Sequence, residues 1–183
     1  MHVLAILAAA LLAEAPAPAP APAPSPAPVS VAAGESVVVR IAADGAVSVE
    51  GRGPAAAMSD YDRKAVAELV GTPLVEGDMK YPAQPLRAGG KMPPVAAGTI
   101  RVTFRDLPGK SPHDGVLTIE NGYSKAFRYR ALMRRGDKSA PTDVCLVLPN
   151  RRGYELWPFQ IDRIDLSELR LVPWTPDDGV PCE

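Results

Sequence analysis

Cys145 and Cys182 are the residues whose type and number have the clearest chemical implication in this 183-residue chain. In an exported chain an even number of cysteines favours a disulfide, whereas a cytosolic pair is more often free or metal-binding. We predict that the two are bonded, with two unrelated buried thiols as the alternative. The bond would close a loop of roughly forty residues, hold the C-terminal tail and contribute on the order of 4 kcal/mol in the chain-entropy model.

Side chains suited to hydrolysis are few. His113 stands beside Asp114 with Ser111 nearby, which are the residue types of a Ser-His-Asp triad. Triads are assembled from distant segments, so three close residues in a Gly- and Pro-rich stretch favour a solvated turn instead. Asp162 and Asp165 could bind calcium or serve a glycosidase. Spacing alone does not place both in one cleft, and surface carboxylates are the favoured interpretation.

Motifs of the common catalytic and metal sites are missing from the sequence. The chain contains no Cys-x-x-Cys, His-Glu-x-x-His, Gly-x-Ser-x-Gly or Walker-type loop, the arrangements that hold zinc, a nucleophilic serine or a nucleotide phosphate. We therefore predict no catalytic residue, no metal and no cofactor. A formal net charge of -1 gives no electrostatic reason to expect nucleic acid, which usually binds strongly basic domains.

Charged residues are distributed unevenly along the C-terminal part of the chain. Lysine and arginine dominate residues 125–152, and aspartate and glutamate dominate from 154 to the end. The favoured hypothesis pairs the basic face with the acidic segments across neighbouring strands. The alternative is a basic docking patch for an anionic protein or envelope polymer, formed by Arg128, Arg130, Arg134 and Arg135.

The N-terminal residues have the pattern of an export signal. Within the predicted leader, residues 1–15, an apolar stretch from Val3 to Leu12 is followed by Ala13-Glu14-Ala15, a small-x-small sequence typical of a signal peptidase site. About ten apolar residues rise only ~15 Å as a helix, half of a ~30 Å hydrocarbon core, so we expect no permanent membrane span unless the leader stays uncut. The sequence thus predicts a periplasmic or secreted protein.

Behind the leader the chain divides into three further segments. Alternating proline and alanine in residues 16–30 predict a disordered, polyproline-like linker, because each proline removes a backbone donor. Residues 31–97 are predicted to form a hairpin, a short helix and a Pro-rich loop. Residues 98–183 are predicted to form a β-sandwich domain that contains the disulfide.

Turn and capping residues place the elements of the segment 31–97. The pair Asp44-Gly45 between two β-branched runs predicts a β-hairpin. Ser59 or Asp60 can cap a short amphipathic helix that ends at Gly71. Whether this segment packs onto the C-terminal domain is left open by the sequence.

Short strands dominate the rest of the chain. Alternating apolar residues from Ile100 to Phe104 predict a half-buried strand, and Asn121-Gly122 predicts a hairpin between the two strands that flank it. Residues 143–148 are apolar on both faces and predict a central strand, whereas 161–172 fit neither the helical nor the strand period. The sequence predicts an antiparallel β-sandwich, loosely immunoglobulin-like, with one short helix.

Two functions from different classes are compatible with these features. The favoured one is an exported, non-catalytic β-sandwich module that binds a protein or envelope component, since strands, linker and cysteines are present and catalytic motifs are not. The alternative is an exported hydrolase with an unfamiliar carboxylate or Ser-His site. A carboxylate pair or His113 lining a concave pocket would favour the hydrolase.

Overall fold

A computed structural model describes residues 27–71, 91–107 and 115–183, which form two antiparallel sheets and one α-helix. The strands are β1 (Val29–Ala32), β2 (Glu35–Ile41), β3 (Val47–Pro54), β4 (Ile100–Asp106), β5 (Gly115–Asn121), β6 (Ala126–Arg135), β7 (Lys138–Thr142), β8 (Arg152–Trp157) and β9 (Arg163–Val172), with helix α1 (Asp60–Gly71) after β3. One sheet has the order β1-β9-β6-β7 and the other the order β3-β2-β4-β5-β8. The predicted β-sandwich is therefore confirmed.

The core lies between the two sheets because alternate residues of each strand point inward. Val102 and Phe104 of β4, Leu117 and Ile119 of β5, Phe127 and Tyr129 of β6, and Ile164 and Leu166 of β9 are all buried there. Trp157 of β8 meets Phe104 edge to face, with ring centroids 6.3 Å apart. The inward sides of β4, β5, β6 and β9 are thus largely filled by apolar packing.

Local sequence signals placed the hairpin and the helix correctly. The strands β2 and β3 pair on either side of Asp44-Gly45, where Gly45 has a φ of +87°, a value that glycine adopts without a steric penalty. The Ser59 side chain accepts a hydrogen bond from the Asp62 amide, and Asp62 in return accepts one from the Ser59 amide, so α1 begins with a capping box. No helix within the described ranges is long and apolar enough to cross a membrane.

The prediction of a hairpin at Asn121-Gly122 is wrong. Strand β5 pairs with β4 and β8 in one sheet, whereas β6 pairs with β7 and β9 in the other. The buried Asn121 amide donates to the carbonyls of Lys125, Val147 and Leu148, and a Cβ on Gly122 would lie 1.8 Å from the carbonyl oxygen of Ala96. This close packing carries the chain across the core from one sheet to the other.

Two stretches of the C-terminal half also differ from expectation. Residues 143–148 form no continuous strand, because Val147 bridges Phe127 while Cys145 bridges Cys182, so that the stretch is divided between two partners. Strand β9 lies within residues 161–172, whose apolar residues fit neither the helical nor the strand period. Strand β9 has one extra residue opposite β6, near Glu168, whose φ is 52°. This β-bulge changes which residues of β9 face inward on its two sides.

The N-terminal hairpin belongs to the same sandwich as the C-terminal strands. Strand β2 pairs with β4 in register from Glu35 opposite Phe104 to Val39 opposite Ile100. Strand β1 begins at Val29 and pairs with β9, so the sandwich starts inside the range 16–30 that the sequence assigned to the linker. The predicted leader, residues 16–26 of the predicted linker and most of the predicted Pro-rich loop lie outside the described residues.

Candidate functional site

The predicted disulfide is present. Cys145 and Cys182 are bonded, with a Cα separation of 3.9 Å. They stand directly opposite each other in an antiparallel bridge, between the mutual hydrogen bonds of Val144 with Glu183 and the bond from Leu146 to Pro181. Such non-hydrogen-bonded positions bring Cα atoms to about 4.5 Å, closer than the usual ~5.5 Å of disulfides, and the separation here is shorter still.

The predicted docking patch is mostly occupied by acidic residues of the chain itself. Arg128 pairs with Glu183, Arg130 with Glu168 at 3.3 Å, and Arg134 with Asp165 at 2.6 Å. The four arginines therefore do not form an open basic face, and the cross-strand pairing that the sequence favoured accounts for three of them. Within the described ranges only Arg135 of the four has no ion-pair partner.

The carboxylates proposed for the hydrolase are engaged in structural bonds. Asp165 accepts hydrogen bonds from Ser30 at 2.5 Å and from Arg134 at 2.6 Å. Asp162 accepts one from the Gly136 amide at 2.6 Å. His113 and Asp114 lie outside the described residues. The aspartate pair therefore gives no support to a hydrolase, since neither residue lines the groove at the tip of the β6–β7 hairpin.

A groove of about 280 Å³ opens at one end of the sandwich. One wall is the tip of the β6–β7 hairpin, where Met133 pairs with Ala140 and Arg135 with Lys138. Met133 lies on the core-facing side of β6, since Ala131 two residues earlier belongs to the core. The other wall is the connection from β8 to β9. We call this site the hairpin groove; its principal lining residues are Met133, Arg135, Lys138, Ala140, Phe159 and Ile161.

The hairpin groove has an apolar floor and a basic rim. Ile161 is buried and Phe159 is 42% exposed, and both contribute apolar surface opposite Met133. Arg135 and Lys138 supply positive charge, and Arg134, Ser139 and Gln160 complete the lining, so no carboxylate borders the groove among the described residues. Such a surface suits a ligand that combines an apolar group with negative charge.

No family model, curated protein or solved structure matches the chain. Sequence reasoning had selected Arg135 but missed Phe159 and Lys138. The two-residue turn Gly136-Asp137 would have indicated that β7 folds back on β6 and brings Lys138 beside Arg135. Nothing in the local sequence distinguishes Phe159 from a core residue.

A second cluster of charges lies under helix α1, on the outer face of the five-stranded sheet. Asp62 accepts hydrogen bonds from Arg152 at 3.0 Å and from the Tyr154 hydroxyl at 2.6 Å. Arg152 also pairs with Glu120 at 3.2 Å. Burial by itself raises the pKa of Asp62, but the hydrogen bonds from Ser59 and Tyr154 and the charge of Arg152 outweigh it and lower the pKa. The cluster attaches α1 to the sheet.

Glu155 is the one acidic side chain of β8 that points toward the core. Its carboxylate accepts hydrogen bonds from the Cys145 amide at 2.8 Å and from the Tyr129 hydroxyl at 3.3 Å. Burial raises the pKa of Glu155 to about 7, and the nearby charge of Asp143 acts in the same direction, while the two hydrogen bonds partly oppose it. A depression of about 10 Å³, lined by Tyr129, Cys145 and Glu183 among others, has room for a water molecule only.

We expect Glu155 to make stability fall as the pH rises. Between its ordinary value of 4.5 and about 7, the folded chain keeps a proton that the unfolded chain has lost. The free energy of unfolding therefore decreases by up to about 3 kcal/mol across that interval. Glu155→Gln cannot ionise and should be more stable than the native chain above pH 7, with little difference near pH 4.5. Urea unfolding across this pH range measures the effect.

Glu168→Gln is the matched control, since Glu168 is an exposed carboxylate paired with Arg130. Removing this exposed charge should change stability little. Parallel profiles for Glu155→Gln and the native chain would show that Glu155 ionises freely in the folded state.

Proposed function

We propose that the chain is an exported, non-catalytic β-sandwich module that binds a negatively charged protein or envelope component through the hairpin groove. The observation that carries this proposal is the groove itself, with Phe159 exposed above an apolar floor and Arg135 and Lys138 at its rim. Aromatic and arginine residues are the side chains that most often dominate binding energy at interfaces.

Export is supported by the sequence and by the disulfide. The apolar stretch and the Ala13-Glu14-Ala15 sequence are typical of a secretory leader. The bond between Cys145 and Cys182 is typical of proteins that fold in an oxidising compartment. A Pro-Ala linker between the leader and the sandwich would hold the groove at a distance from an envelope surface.

Binding is favoured over hydrolysis by the chemistry of the groove lining. Ser139 is the one lining residue with a nucleophilic hydroxyl among the described residues, and no lining histidine or carboxylate could take its proton. Arginine and lysine at a rim attract and orient an anion but do not serve as a general base at neutral pH. The side chains present therefore suit recognition.

Replacing Phe159 by alanine should remove partner binding while the fold is kept. We expect affinity capture of the partner from the envelope of the source organism to weaken about tenfold or more, because central aromatic residues at interfaces contribute about 2 kcal/mol or more. Capture by the native chain and by Phe159→Ala is compared at equal concentration, with thermal melting to confirm folding.

Val49→Ala serves as the control for an exposed apolar side chain elsewhere. Val49 lies on β3 of the other sheet and is 45% exposed, close to the 42% of Phe159. Capture by Val49→Ala should equal that of the native chain. Equal capture by Phe159→Ala and the native chain would contradict the assignment of the groove as the binding site.

A further inference from the structure

The volume of the hairpin groove limits what can occupy it. At about 280 Å³ it lies just below the range of roughly 300–1,000 Å³ that holds drug-sized ligands. Its apolar surface is confined to Met133, Ala140, Phe159 and Ile161, at the hairpin tip and the facing connection. The space therefore suits one large apolar side chain.

Charge at the rim selects for carboxylates beside that apolar group. Arg135 and Lys138 are exposed and have no ion-pair partner in the described part of the chain, whereas the Arg134 guanidinium is held by Asp165. The nearest acid in sequence is Asp137, at the exposed turn, and Asp162, which lies close in space, accepts a hydrogen bond from the Gly136 amide. An acidic ligand would complete ion pairs that the chain leaves open.

The edge of β7 is poorly suited to receive an added strand. Strand β7 is an outer strand of its sheet, so one side of its backbone is unpaired. Pro141, near its end, has no N–H to donate, a common way of blocking strand addition at a sheet edge. A partner at this edge must therefore gain its affinity from side chains that enter the groove.

We propose that the hairpin groove binds an acidic peptide segment of a partner protein, with one large apolar side chain packed between Phe159 and Met133 and flanking carboxylates on Arg135 and Lys138. This inference rests on the proposed function, because both assign binding to the same groove. A protein segment is favoured over an anionic polysaccharide, since a polysaccharide would use the charged rim and leave the apolar floor unfilled.

Synthetic peptides test this directly by fluorescence anisotropy on the native chain. The probes are labelled peptides with the central sequence Asp-Glu-x-Glu-Asp, where x is Phe, Leu, Trp or Ser, and a reversed-charge set with lysine in place of the acids. We expect the Phe, Leu and Trp peptides to bind at least about tenfold more tightly than the Ser peptide. The lysine peptides should not bind, and rising salt should weaken the acidic ones.

The double variant Arg135→Gln/Lys138→Gln should weaken acidic peptide binding by about tenfold or more. Its control is Lys125→Gln/Arg151→Gln, which removes the same two charges from exposed residues outside the groove lining and should bind like the native chain. Equal loss in both variants would overturn the inference, because the attraction would then be non-specific.

Other outcomes separate this inference from the proposed function. No peptide binding at about 1 mM, or equally tight binding of polyglutamate or of phosphatidylglycerol vesicles, would overturn the peptide assignment. In that case a loss of envelope capture in Phe159→Ala would still support the proposed function. Capture that is unaffected by Phe159→Ala would overturn the proposed function itself.

Discussion

Removing the disulfide should lower the free energy of unfolding by about 4 kcal/mol. Cys145 and Cys182 are 37 residues apart in sequence, and the bond prevents the unfolded chain from exploring conformations in which they separate, which in the chain-entropy model amounts to about 4 kcal/mol. The variant Cys145→Ser/Cys182→Ser removes both thiols. Urea unfolding of the native and variant chains, at a pH where both fold reversibly, measures the difference.

Reduction of the native chain with a dithiol provides the control. The reduced chain and the double serine variant should unfold at the same urea concentration, while the oxidised chain unfolds later. A loss below about 1 kcal/mol would contradict this prediction, because it would mean that structure kept by the unfolded chain cancels the entropic effect of the bond. In the folded chain the tail is also held by the backbone hydrogen bonds of Val144 with Glu183 and by the ion pair of Glu183 with Arg128.

Arg152→Met should lower the free energy of unfolding by about 3–5 kcal/mol, the usual result of removing one partner from a buried ion pair. The side chains of Arg152 and Asp62 are each only 8% exposed, and that of Glu120 is 17% exposed. The substitution leaves two poorly solvated carboxylates without the cation that pairs with both. The Arg152 Nε is buried and has no hydrogen-bond partner among the described residues. Removing it offsets a small part of the lost stability.

A second readout follows from where the cluster lies. Because Asp62 belongs to α1 and Arg152 to β8, amide hydrogen exchange in α1 should accelerate in Arg152→Met more than exchange in β4 or β5. Adding Asp62→Asn to Arg152→Met should cost less than the sum of the two single changes, since the neutral amide needs no cation.

Arg40→Met is the matched control for this prediction. Arg40 pairs with Glu50 at 2.7 Å, but their side chains are 51% and 36% exposed. The control should therefore change stability far less than Arg152→Met does, because exposed ion pairs contribute little. An Arg152→Met variant no less stable than Arg40→Met would show that solvent reaches the Asp62 carboxylate in the folded chain.

Features encoded by near neighbours could be predicted from the sequence. The hairpin at Asp44-Gly45, helix α1 with its capping box, and the inward side of β4 all depend on residues a few positions apart. The sandwich class followed from many short alternating strands, and the disulfide from an even number of cysteines behind an export-like leader. The ion pairs of Arg128 with Glu183 and of Arg134 with Asp165 agree with the favoured hypothesis that the basic face pairs with the acidic C-terminal segments.

Which strands pair was decided only by the tertiary structure. Asn121-Gly122 has the composition of a hairpin turn, yet the Asn121 amide binds carbonyls 26 and 27 residues away and directs the chain to the other sheet. The alternation of inward and outward residues in β9 changes phase at Glu168, because β9 forms a bulge there in its pairing with β6. Neither effect is visible locally, because each depends on a partner distant in sequence.

The candidate site also depends on residues that are distant in sequence. Arg135 was selected from the sequence as one of four similar cations, and only the positions of Asp165, Glu168 and Glu183 separate it from the three that are neutralised. Phe159 is exposed rather than buried because the connection between β8 and β9 faces a hairpin tip that extends past the core. Composition and periodicity determine which side chains a chain has to place, but long-range packing determines which of them remain free to bind.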